Sequence, residues 1–199
     1  VERRIARQHG FQIEFMALNA QRFQLSEHSF WNGWNALHTG RAHDQIYSHL
    51  LGKVAEEEPK EVLVVGCGTG ELVDILLRKG IIACGVDINE QNVREAQRKL
   101  LPVHRQRVQD LNYDSRFDMV IDPGVMSAGV INYREAGLCL DKVTRAIKPG
   151  GILLQIPYTR SLLTSFDLTH RGYVVHQKTQ PQNLFTENYP KQVYVAEKN

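Results

Sequence analysis

Only three cysteines occur in 199 residues, Cys67, Cys84 and Cys139. Their spacings make neither a CxxC pair nor a zinc pattern. An odd, scattered set suits a reducing compartment, the cytoplasm, with all three as small buried or loop residues. The eight histidines supply no H-x-x-x-H pair, and His43 and His49, six apart, do not share a helix face well. No metal is therefore expected. No apolar run approaches the roughly 20 residues that span a bilayer, and no stretch reads as a signal peptide, so a membrane is not expected as a partner. The chain opens on Val1 rather than Met, so targeting information further upstream is not read. An excess of one charge is also missing: 24 Lys+Arg stand against 22 Asp+Glu, a net +2. That is too mild to argue for nucleic acid by bulk electrostatics. Short basic clusters at Arg3, Arg4 and Arg7, and at His104, Arg105 and Arg107, read as solvated surface. Internal repeats and low-complexity tracts are absent.

What is present suits one domain with a small extension, 42% hydrophobic and 23% charged. Residues 1–55 read as a helical N-terminal extension. Ile5, Phe11, Phe15 and Leu18 are loosely helical in spacing, Phe30, Trp31 and Trp34 cluster, and His43 to Val54 reads as a helix. Glu56 to Pro59 then introduces a domain over 56–199 in which strands and helices alternate. Apolar runs at 61–65, 81–86, 103–108, 117–121 and 152–156 read as buried strands. Helical patterns cover Gly70 to Lys79, Asn89 to Leu100, Arg134 to Ile147 (closed by KPGG, 148–151) and Ser161 to His170. YVVHQKTQ and KQVYVAEK look like two amphipathic strands around a loop from Pro181 to Pro190. Alternation implies an α/β parallel sheet covered on both faces, and the final pair, with no helix between, an antiparallel edge.

The most informative stretch is VLVVGCGTGEL. A buried strand runs into Gly66, Gly68 and Gly70 just where an open α/β sheet places its ligands, beyond the carboxyl ends of the strands. Glycines let the backbone turn tightly and approach a ligand without Cβ interference, and the helix after them starts with N–H groups lacking intrahelical partners. The spacing is G-x-G-x-G rather than G-x-G-x-x-G, and no GK[ST] comes after it, so neither the pyrophosphate fingerprint nor a P-loop fits. The second strand ends in GVDIN; Asp87 there can accept both hydrogen bonds of a ribose diol, and Ile88 can cover an adenine face. VQDL puts Asp110 after the third strand, and FDMVID puts Asp122 at the end of the fourth. Each acid alone reads as a loop residue; four features at four consecutive strand exits do not.

VLVVGCGTG, GVDIN, VQDL, FDMVID, KPGGILLQI and the closing strand pair together resemble the class I S-adenosylmethionine-dependent methyltransferases over about residues 55–199. The resemblance implies a doubly wound, Rossmann-like, seven-stranded, mostly parallel sheet with the last strand antiparallel. It implies S-adenosylmethionine as cofactor, with Gly66, Cys67, Gly68, Thr69 and Gly70 at its methionine part, Asp87 and Ile88 at the ribose and adenine, and Asp110 and Leu111 at the adenine. Val64 stands where many members carry an acid that holds the methionine amine. The lysine methyltransferases of translation elongation factors, and their relatives, resemble this chain in having an apolar residue there. Their D-K-G-T-L-D segment is matched by Asp122 and Gly124 of DPGVMS but not by Pro123, Val125 or Ser127. D-P-P-[FYW], used on amino groups of bases and glutamine, is matched only by Asp122 and Pro123.

Methyl transfer from a sulfonium is an in-line displacement in which the protein aligns nucleophile, methyl and sulfur. Asp122 is the candidate catalytic residue, holding an acceptor amine by a charge-assisted hydrogen bond. The acceptor expected is a protein lysine or a small molecule. Phe30, Trp31 and Trp34 read either as packing of the extension or as a lid; Tyr158, Phe185 and Tyr189 are further candidates for substrate contact. A non-catalytic module with this fold, binding cofactor or partner, is the alternative. An aminopropyltransferase would want more acids near the fourth strand than Asp118 and Asp122, and a nucleotide-dependent oxidoreductase would want the other glycine spacing.

Overall fold

The computed structural model describes residues 50–127, 130–157, 161–179 and 192–199. The expected extension is met only at its end, where residues 50–57 are helical and Leu50 and Val54 are buried. The aromatics Phe30, Trp31 and Trp34, Tyr158, and the loop with Phe185 and Tyr189 lie outside the described residues.

Seven strands form one sheet in the order β3-β2-β1-β4-β5-β7-β6. They are β1 (Glu61–Val65), β2 (Ile82–Asp87), β3 (Val103–Arg105), β4 (Phe117–Asp122), β5 (Ile147–Gln155), β6 (Tyr173–Thr179) and β7 (Gln192–Lys198). The first five pair in parallel, and β7 runs antiparallel to both β5 and β6. The last strand therefore wedges between β5 and the edge strand β6. Strand order reverses between β1 and β4, which places a ligand crevice at the exits of β1, β2 and β4.

The continuous apolar runs reflect burial on both faces. Val62 and Val64 of β1 join one core with Leu72, Val73, Leu76, Met119 and Ile121. Leu63 and Val65 join the other with Phe117, Val120, Leu140 and Val143. Helices α1 (Glu71–Arg78), α2 (Glu90–Arg98) and α3 (Tyr133–Ala146) cover these faces. In α3 the buried Ala136, Cys139, Leu140, Val143 and Ala146 recur at helical spacing, and Asn132 with Glu135 forms a capping box. Asn89 caps α2 by accepting from Gln91 and Asn92 N–H.

Three boundaries differ from the pattern in the sequence. β3 stops at Arg105, and Val108–Asp110 is a 3-10 turn. KPGG does not close α3 as a loop: Ile147 already pairs with Phe117, and the register resumes at Met119 with Ile152, so Lys148 to Gly151 bulge within β5. The helix expected over Ser161 to His170 shrinks to Ser165–Thr169, because Thr164 and Asp167 form a capping box that starts it late. β6 and β7 form as expected, with β7 internal.

Phe117 is fully buried, meets Tyr113 edge-to-face at 5.0 Å and carries the Arg116 guanidinium over its ring at 5.0 Å. Phe117→Ala is expected to lower unfolding free energy by about 3–5 kcal/mol, read as a fall in urea midpoint at constant slope.

Candidate functional site

The exit of β1 is a left-handed turn. Gly66, Gly68 and Gly70 have φ of 65°, 57° and 81°, a region that L side chains enter at a cost of about 1–2 kcal/mol each. Two of the three also have no room for a side chain. A Cβ on Gly66 would collide with Val125 Cγ2, and one on Gly70 would come 2.8 Å from Leu101 Cδ1. At Gly68 no atom of the described residues lies within 4 Å of the place a Cβ would take. Gly70 caps α1 without any side-chain hydrogen bond.

Asp87, at the exit of β2, fastens this turn. Its Oδ2 accepts from Gly68 N–H at 2.8 Å and its Oδ1 from Asn89 N–H at 2.8 Å. Cys67 N–H donates to Val86 O at 3.1 Å, so turn and strand are joined twice. Burial raises the Asp87 pKa, opposed by these N–H donors and by the Asn92 side chain. Half-exposed Ile88 comes next. Cys67 contributes backbone: its thiol is buried, and burial, then the charge of Asp87, pushes it far above its ordinary value. Thr69 is half-exposed within the turn.

After β3, Gln106 N–H donates to Asp87 O at 3.1 Å, and the Gln106 side chain donates to Asp110 O at 2.8 Å. That link ties the 3-10 turn to the exit of β2. Asp110 is exposed, while Leu111 is 1% exposed and belongs to the core. Gln106 carries no signal in the sequence, lying between two arginines in a stretch that reads as strand.

Asp122 is in place at the exit of β4, and it is buried there. The side chain is 0% exposed; Oδ1 accepts from Gly124 and Val125 N–H at 3.0 and 2.6 Å, and Oδ2 from Met126 N–H at 3.1 Å. The loop immediately after it turns back and engages both carboxylate oxygens with its own N–H groups. Val64 is fully buried and pairs in register with Ile121 and Gly85, so the position that is acidic in many methyltransferases is a core residue here. Asp118 lies near the opposite end of β4, accepting from Lys60 and Glu61 N–H and from Lys148 Nζ. It is remote from the crevice along the strand, which removes the second acid that a polyamine site would use. Among the described residues no group of His, Cys, Asp and Glu could hold a metal ion, and no helix is long and apolar enough to cross a membrane.

Residues 62–151 match a protein family described as "Methyltransferase domain". A Geobacillus sp. (strain WCH70) protein named as a methyltransferase is 30% identical over 114 residues, 52% of this chain and 44% of its own. The ubiquinone biosynthesis O-methyltransferase of Nitrobacter winogradskyi is 29% identical over 98 residues, 46% of this chain and 36% of its own. The chain thus spans less than half the length of these two curated relatives. Among solved structures, the Burkholderia thailandensis 1,6-didemethyltoxoflavin-N1-methyltransferase, crystallised with 1,6-didemethyltoxoflavin and S-adenosylhomocysteine, superposes with a TM-score of 0.66 at 17% identity, covering 92% of this chain and 88% of that one. The fold is that of the S-adenosylmethionine-dependent methyltransferases, and the matched stretch contains the glycine turn, Asp87, Asp110 and Asp122.

The raised pKa of Asp122, caused by burial against the opposing donors, has a direction that can be checked. The folded state holds this proton at a pH where the unfolded chain has released it. Its contribution is therefore full below the ordinary value of 3.8 and is lost as pH rises through the folded value. Asp122→Asn carries a constant offset but no such loss. The stability of wild type minus that of the variant, from urea midpoints, should fall as pH climbs above the ordinary value of 3.8. Each tenfold difference in proton affinity between folded and unfolded chain is worth about 1.4 kcal/mol of that fall. A flat difference would contradict the assignment.

Proposed function

We propose that this chain is an S-adenosylmethionine-dependent methyltransferase whose acceptor is a small molecule with a nucleophilic nitrogen or oxygen. One observation carries the reading: the Asp87 carboxylate is hydrogen-bonded to Gly68 N–H at 2.8 Å, and among the described residues nothing crowds Gly68. That pairs a carboxylate for a ribose diol with bare backbone for an amino-acid tail, which is the donor and acceptor set that S-adenosylmethionine needs. In this reading Gly66, Cys67, Gly68, Thr69 and Gly70 lie against the methionine part, Asp87 takes the ribose hydroxyls, Ile88 covers adenine, and Asp110 and Leu111 bound its amino edge. With Val64 in the core, backbone carbonyls of the turn take the methionine ammonium.

When bound, S-adenosylmethionine would supply an electrophilic methyl on a sulfonium, held by residues 66–70 and Asp87. The protein's part is alignment. Asp122 contributes by fixing residues 124–126, which sets Val125 beside Gly66. The names of the Nitrobacter and Burkholderia proteins support a small-molecule acceptor. A protein lysine is the second reading, favoured by the apolar Val64 before the glycine turn, the feature in which the chain resembles the elongation-factor lysine methyltransferases. The free cysteines Cys67, Cys84 and Cys139 fit a reaction carried out in the reducing cytoplasm.

Titration calorimetry with S-adenosylhomocysteine is expected to show micromolar binding. Asp87→Ala should weaken it at least about tenfold, the equivalent of one hydrogen bond to a charged group. Labelled methyl should then pass from the cofactor into the small-molecule fraction of a cell extract rather than into its proteins. Binding without transfer would favour a non-catalytic module; label in protein would favour the lysine reading.

A further inference from the structure

Gln155 is a polar residue in the middle of the apolar run ILLQI, at the end of β5 and in register with Asp122. It is 0% exposed. Burial of an amide is tolerated when its donors and acceptor are matched, and here they are. Nε2 donates to Met126 O at 3.2 Å, and Oε1 accepts from Ser161 Oγ at 3.2 Å. Donors are required on one side and an acceptor on the other, which fixes the amide orientation. Around this node the segment after β4 and the segment after β5 are joined again: Leu162 N–H donates to Met126 O at 3.2 Å, and Ser127 and Ser161 form an isolated antiparallel bridge. The Asp122 carboxylate in turn holds Val125 N–H, and the Val125 methyl fills the space beside Gly66.

We infer that Gln155 is a positioning residue of the methyl-transfer site, acting through Met126 and Ser161 to lock the loops after β4 and β5 together and hold Val125 against the glycine turn. The inference rests on the methyltransferase reading for its consequence but not for its geometry. Substrate specificity in this architecture is set by loops at the strand exits, and the loop after β4 meets the turn where Val125 stands beside Gly66. An in-line displacement tolerates little misplacement of its walls. A chain with the lock released keeps Asp87 and Gly68 where they are, since their hydrogen bonds run to each other and to Asn89, whereas the amide bonds Met126 and Ser161. Cofactor binding and turnover are thereby separable.

The test uses the full chain with Gln155→Met, which keeps volume and removes the amide, and the pair Ser161→Ala and Ser161→Thr, of which only the second keeps the hydroxyl. Two readouts are taken: amide hydrogen exchange, and kcat with the KM for S-adenosylmethionine, using the small-molecule extract fraction as acceptor. In Gln155→Met, exchange at Gly124, Val125 and Met126 should quicken about tenfold or more while Val62–Val65 stay unchanged. The kcat should fall at least about tenfold with the cofactor KM within about twofold. Ser161→Ala should shift both readouts in the same direction and Ser161→Thr should restore them. Unchanged exchange at 124–126, exchange that quickens equally through the sheet, or a raised cofactor KM at constant kcat would each overturn the inference. If wild type transfers no methyl at all, the methyltransferase reading fails, and the exchange comparison alone still decides whether the lock exists.

Discussion

The contact between the Asp87 carboxylate and Gly68 N–H ties the exit of β2 to the exit of β1. Neither partner could be exchanged freely. A side chain at Gly68 would have to accept φ of 57°. An apolar residue at 87 would strip Gly68 and Asn89 N–H of their acceptor. Gln106 then hangs the turn after β3 on the carbonyl of the same aspartate. One acidic residue thus aligns three consecutive strand exits, at the energetic cost that its raised pKa reports: a carboxylate kept mostly out of water.

Further along the edge the same device recurs with a different outcome. Asp122 also sits at a strand exit, and like Asp87 it accepts backbone N–H groups at both oxygens, but it is wholly buried. Asp87 is only partly buried. Two aspartates that look equivalent in sequence therefore differ in their access to solvent. The neighbouring residues make the difference: Ile88 and Asn89 open a helix, whereas Pro123, Gly124 and Val125 fold back over the carboxylate.

The sheet is legible in the sequence because its strands are buried on both faces, so EVLVV and FDMVI could hardly be anything else. The glycine turn is legible because its residues must adopt left-handed backbone. KPGG misleads for a related reason: its proline and glycines announce a turn, and they do bend the chain, but inside a strand whose first residue already pairs with Phe117. The burial of Asp122 is not legible, since nothing in DPGVMS tells whether the loop turns away from the carboxylate or onto it. Gln155 shows only as a lone amide among apolar residues, and its partners Met126 and Ser161 come near it only in the fold. The roles expected for residues 1–49 rest on sequence alone.

If the turn fastened by Asp87 is the cofactor cradle, a crystal structure of the protein with S-adenosylhomocysteine is the most direct measurement of it. Both ribose hydroxyls should lie within hydrogen-bond distance of Asp87, the homocysteine tail should run along residues 66–70, and Asp122 should still be bound to its three N–H groups. A ligand seated elsewhere, or a ribose turned away from an Asp87 that still holds Gly68, would contradict that assignment.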